Sequence, residues 1–222
     1  MLVVTCISSQ GFGHGARVAA VLQALAARQP ACRVVLSTAL PAAFLRRALV
    51  GLNYEHRSCQ WDVGVVQADA LGSDPEATVQ ALERLEQQLP QQIEAEARWL
   101  EHWRQAHEPV VIVADVPPAA ARLAERLGWP LLWHGNFGWD SIYADLGGPL
   151  QEWAQSSLAD YRRGQTLLRC PFALPMPWDV PQQCLGLGAS EPRFQPECIA
   201  ERLNWRGLRQ RSALLCFGCY PL

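Results

Sequence analysis

Residues 2–25, LVVTCISSQGFGHGARVAAVLQAL, constrain the fold more than any other stretch. Leu2 to Ile7 is an almost wholly apolar run, the pattern of a strand buried on both faces of a parallel sheet. After a glycine-rich loop, Val18, Val21, Leu22 and Leu25 recur at i, i+3, i+4 and i+7, which lays one apolar stripe along a helix. A strand that is apolar on both faces needs parallel neighbours and helices above and below it. The opening thus commits the chain to layered α/β architecture.

The rest of the chain repeats that alternation. CRVVLS (32–37) reads as a strand, PAAFLRRAL as a helix begun by Pro41, and NYEHRS as a third strand. A helical region follows from Pro75 to about His107, with Leu82, Leu85, Leu89, Ile93, Leu100 and Trp103 on its buried side and Pro90 expected to kink or split it. VVIVA (110–114) is a strand ending on Asp115, PPAAARLAERLGWP a helix closed by Gly128 and Pro130, and LLWH (131–134) the next strand. Beyond Gly147 the reading is a helix in PLQEWAQSSLADYRRG, a short strand in TLLRC, and loop from Pro171 to Pro196. SALLCFGCYPL (212–222) resembles the first strand of a second α/β domain, so the expected division is residues 1–205 as one Rossmann-like domain and 206–222 as linker and start of another.

Composition narrows the function. All 19 basic residues are arginine, so phosphate loops that need a GK[ST] lysine are excluded. A net charge of −2 and no basic run give no footprint for nucleic acid. Eight cysteines, with only Cys216 and Cys219 close together, suggest reduced thiols rather than a zinc site or disulfide framework, and no metal site is expected. The N-terminus has no signal-peptide pattern and no membrane span is legible, so a cytoplasmic location is expected. His56, His102, His107 and His134 show no metal-ligand spacing and read as ordinary residues.

Gly11, Gly13 and Ala16 fit G-x-G-x-x-[GA] between strand and helix, the dinucleotide fingerprint. The acid that should hold the ribose at the end of the second strand is missing, where only Ser37 and Thr38 stand. The loop also carries His14 at a helix start, where the positive end of the dipole disfavours imidazolium and keeps the ring able to accept a proton. Asp115, at the same edge of the sheet, either fixes the tautomer of His14 or merely caps the Pro117 helix.

GFGHGAR (11–17), GVVQADAL (64–71), ADVPPAAARLAERLGWP (114–130) and NFGWDSIYADL (136–146) together resemble glycosyltransferases of the GT-B fold. The resemblance is closest to the glycosyltransferase-like N-terminal region of plant L-arabinokinases and their bacterial relatives. It implies an α/β, Rossmann-like parallel sheet with helices on both faces, the acceptor-side N-terminal domain of a GT-B fold. It also implies transfer of a sugar, with inversion, from a nucleotide-sugar donor to a hydroxyl of a small molecule or glycan. His14 matches the base of such enzymes and Asp115 the residue that orients it. Gly11, Gly13, Arg17, Asp69, Asn136, Trp139, Asp140 and Tyr143 are the expected substrate-binding residues, the last five in loops near the cleft. Trp139 could instead plug the core. The donor, UDP-linked by expectation, is a substrate and no resident cofactor is implied. The 222 residues alone would lack turnover without a C-terminal domain. Family members often read HGFGHATR where this chain has QGFGHGAR, so the threonine hydroxyl at position 16 is lost. A sugar-binding or regulatory module that keeps the fold without catalysis is the competing expectation, and a nicotinamide-dependent oxidoreductase a weaker one.

Overall fold

The computed structural model describes residues 1–69, 72–190, 192 and 194–203. The proposed strand at 212–222 and the Cys216 and Cys219 pair lie outside the described residues. Seven parallel strands form one sheet in the order β3-β2-β1-β4-β5-β6-β7. They are β1 (Leu2–Ile7), β2 (Arg33–Ser37), β3 (Glu55–Arg57), β4 (Val110–Asp115), β5 (Leu131–Gly135), β6 (Thr166–Arg169) and β7 (Gln182–Cys184). The helices are α1 (Phe12–Arg28), α2 (Ala42–Ala48), α3 (Pro75–Trp103), α4 (Ala120–Leu127), α5 (Trp139–Leu146), α6 (Gln151–Tyr161) and α7 (Pro196–Arg202).

Alternation along β1 divides the core in two. Val3 and Ile7 pack with Val18, Ala19 and Leu22 of α1 and Leu45 of α2, whereas Leu2, Val4 and Cys6 face the larger cluster built with α3, α4, α5 and α6. Because β1 leads to one face and β4 to the other, the strand order reverses between them. In open α/β sheets that reversal is where ligands bind, outside the carboxyl ends of the strands.

Three sequence expectations are narrowed or corrected. Of the two outcomes expected at Pro90, a kink or a split, the split does not occur: α3 runs from Pro75 to Trp103. Leu82, Leu85 and Leu89 before the proline and Ile93, Ala97 and Leu100 after it are buried in the same cluster, and this shared packing offsets the one backbone hydrogen bond that proline removes. The stretch from Pro171 to Pro196 is not all loop, since β7 pairs with β6 there. All three β7 residues are exposed, so that edge strand has no apolar alternation by which to recognise it. NFGWDSIY is loop only as far as Gly138, where Asn136 stands as expected; Trp139, Asp140 and Tyr143 lie on α5, buried.

Candidate active site

The site lies at the β1/β4 reversal. Gly11 caps α1 with φ 96° and ψ 158°, a backbone conformation that side chains strongly disfavour. A Cβ on Gly13 would meet nothing within 4 Å, so that position leaves open space over the loop. A Cβ on Gly15 would lie 2.5 Å from Phe44 Cε1 and 2.7 Å from Leu40 Cδ1. The glycine that lets α1 approach α2 is therefore Gly15. Together these turns set His14 in the first turn of α1, 8% exposed, with its ring edge-on to Phe137 at 5.7 Å.

Asp115 is the centre of the site. It has no solvent exposure and accepts four hydrogen bonds. Oδ1 takes His14 Nδ1 at 2.7 Å and Arg17 Nη2 at 2.7 Å, and Oδ2 takes Arg17 Nε at 2.9 Å and His134 Nδ1 at 2.8 Å. Burial favours the neutral acid, but the bonds from His134, His14 and Arg17 outweigh it and hold the carboxyl well below its usual range. The capping alternative is removed: α4 is capped by Ala119 without a side-chain bond. The next residue, Val116, has φ 81°, a strained conformation for a β-branched residue, and its carbonyl accepts the Tyr161 hydroxyl at 2.7 Å. That kink turns the chain sharply between Asp115 and Pro117.

A carboxylate only accepts, so both histidines donate through Nδ1, and a neutral His14 keeps its lone pair on Nε2. Among the described residues no hydrogen bond engages Nε2 of His14. The arrangement can therefore take a proton at Nε2 of His14 while the carboxylate stabilises the imidazolium that forms.

His134, read from sequence as ordinary, belongs to the site. It stands opposite Asp115 in the β4/β5 register, and a polar residue closing an otherwise apolar strand beside Asp115 was the available signal. Burial disfavours its charged form, but the Asp115 and Cys170 contacts prevail and raise its pKa to about 9. This folded value lies above the unfolded value of about 6.5, so the stability it contributes is full below pH 6.5 and is lost as pH rises through 9. At about 1.36 kcal/mol per unit, unfolding stability should fall by about 2–3 kcal/mol across that window. Urea midpoints at pH 6.5 and 9.5 measure the fall, and His134→Asn should remove it.

The other expected residues separate into three groups. Arg17 also donates to Asn136 Oδ1 at 2.7 Å, so Arg17 and Asn136 join the Asp115 group and brace it. Asp69 lies on an exposed loop, where its Oδ1 accepts the Gly72 backbone N–H at 2.7 Å, outside the bonds made to Asp115. Trp139 and Tyr143 stack on each other at 5.7 Å and turn their polar ends inward, to Asp62 Oδ2 at 2.8 Å and to the Gly64 carbonyl at 3.0 Å. Both line a cavity of about 40 Å³, room for a water but not for a sugar ring. Asp140 accepts Trp178 Nε1 at 3.1 Å, and burial raises its pKa. Asp62, which sequence reading passed over, is 3% exposed, and burial raises its pKa against the hydrogen bonds from Trp139 and Ser8. Asp62 and Asp140 each keep one buried oxygen without a partner among the described residues. No group of three or more His, Cys, Asp or Glu side chains there could hold a metal ion, and no helix there is long and apolar enough to cross a membrane.

Solved structures share this architecture. A UDP-glucosyltransferase from Polygonum tinctorium, capable of glucosylating indoxyl, superposes with TM-score 0.58 at 14% identity, covering 93% of this chain and 56% of that one. UGT89C1 of Arabidopsis thaliana, complexed with quercetin, gives TM-score 0.55 at 12% identity, covering 91% and 54%. The same enzyme complexed with UDP gives TM-score 0.54 at 13% identity, covering 91% and 55%. The fold is thus the Rossmann-like N-terminal domain of a GT-B glycosyltransferase fold. In sequence, the chain is similar to L-arabinokinase of Arabidopsis thaliana, 31% identical over 228 residues. That alignment takes in 97% of this chain but only 20% of the kinase, so the chain spans about one fifth of that relative. No protein-family model matches the chain.

Proposed function

We propose that this chain is the acceptor-side part of a glycosyltransferase that moves a sugar from a UDP-linked donor to a hydroxyl with inversion. The single observation behind this reading is the His14–Asp115 pair, 2.7 Å apart at the strand-order reversal, with Nε2 of His14 free of partners among the described residues. His14 removes the acceptor hydroxyl proton, the oxygen attacks the anomeric carbon from the face opposite the leaving group, and UDP departs. Asp115 holds the ring orientation and stabilises the imidazolium, while Arg17 and Asn136 keep Asp115 in place. The donor is substrate rather than cofactor, and a second domain holds most of it. The UDP complex of UGT89C1 supports the donor class.

The second reading is a sugar-binding module without turnover, favoured by the similarity to one fifth of a protein whose name describes a kinase. The longest natural form of the protein, given UDP-sugars and a panel of hydroxyl acceptors, separates the two. NMR of the product should show the anomeric configuration inverted. A retained anomer would remove direct displacement by the acceptor, and sugar binding without UDP release would establish the module.

A further inference from the structure

The hydrogen-bonded chain does not stop at His134. Its second ring nitrogen, Nε2, lies 3.4 Å from Sγ of Cys170, the residue directly after β6. The Cys170 backbone N–H donates to the Gly135 carbonyl at 2.8 Å, which pins the thiol beside the end of β5. A thiol, an imidazole and a buried carboxylate therefore stand in line, at 3.4 Å and 2.8 Å, in the order that activates a nucleophile in unrelated enzymes. The glycosyl-transfer reading uses neither Cys170 nor the Nε2 of His134.

We propose that Cys170 is a nucleophilic thiol, deprotonated by His134 and oriented through Asp115, that reacts with small electrophiles of the peroxide class. With hydrogen peroxide, the sulfur lone pair forms the S–O bond as the O–O bond breaks. The thiol proton passes through His134 Nε2 to the departing hydroxide, so the products are a sulfenic acid and water. Cys170 is 9% exposed, which favours small reagents over bulky disulfides. The charged and titratable groups gathered on this line are Asp115 from β4, His14 and Arg17 from α1, and Cys170 from beyond β6. Arg17 and Asp115 offset each other, so a thiolate and an imidazolium formed together leave the group's net charge unchanged.

The test compares each cysteine with itself, which cancels differences in burial. The 222-residue protein is alkylated with iodoacetamide at pH 6.5 and pH 8.5, and the rate at each cysteine is read by peptide mass spectrometry. Cys184 and Cys198 are exposed and serve as reference thiols, whose labelling should rise about fifty-fold at the higher pH. Cys170 should change less than about fivefold, and His134→Asn should restore the steep response. Cys6, with no exposure, reports folding: it stays unlabelled in a folded variant, and His134→Gln replaces His134→Asn if it does not. A fifty-fold rise at Cys170 in the unaltered protein, no labelling of it at either pH, or a flat response that survives loss of His134 would each overturn the proposal. None of these outcomes depends on whether His14 serves sugar transfer.

Discussion

Asp115→Ala is expected to cost about 3–5 kcal/mol of unfolding stability, the range for removing one partner of a buried ion pair. The carboxylate has no exposure and receives four hydrogen bonds from three side chains on two other elements. Alanine leaves the Arg17 guanidinium and the Nδ1–H groups of two histidines facing a cavity with no acceptor in it. A buried donor left unsatisfied costs more than an intact hydrogen bond contributes, so the loss exceeds that of a cavity of the same size. Urea unfolding measures it as a lower midpoint with an unchanged slope. A loss under about 1 kcal/mol would mean that Arg17 and the histidines find other partners, and the picture of Asp115 as the centre of the site would fail.

The second large effect is chemical. In the longest natural form of the protein, His14→Ala should lower kcat for sugar transfer by about 10²- to 10⁴-fold, the contribution of a positioned general base, with KM changed little. Its stability cost should be small beside that of Asp115→Ala, because His14 makes one strong hydrogen bond and sits at the rim of the site. Donor consumption that continues unchanged in the variant would remove the base assignment and leave the binding-module reading standing.

Asp115 explains why the site was only partly legible. Its place at the carboxyl end of an apolar strand was visible in VVIVAD, as was that of His14 after GFG. Whether Asp115 faced a histidine or capped a helix depended on the direction its side chain takes after β4, and the strained backbone of Val116 redirects the chain towards α4 without any cap from Asp115. His134 was missed for a related reason. Only the pairing of β4 with β5 sets it against Asp115, and strand pairing joins residues 19 apart that no local pattern relates.

Residues 136–143 show the opposite error. Trp and Tyr near amide and carboxylate groups suggested a sugar-binding loop, but from Trp139 onward the residues form α5, whose Trp139 and Tyr143 rings are buried in the larger core cluster. Trp139 stacks on Tyr143 and bonds to Asp62, and Tyr161 stacks on Trp178 at 3.9 Å. Aromatic side chains suit a sugar face and a protein core equally well, because both are apolar surfaces with a polar edge. Composition cannot choose between them.

What the sequence by itself determined is the layered α/β class, the parallel sense of the sheet, and the positions of His14 at a helix start and Asp115 at a strand end. Each comes from local periodicity, since an apolar run and an amphipathic stripe must find each other to leave water. The tertiary structure alone decided which strand ends are neighbours, and so brought His14, Arg17, His134 and Asn136 around one buried carboxylate and set Cys170 beside His134. Those contacts cross 19 to 119 residues of chain, and they exist because burial of the sheet's two faces fixes the strand order.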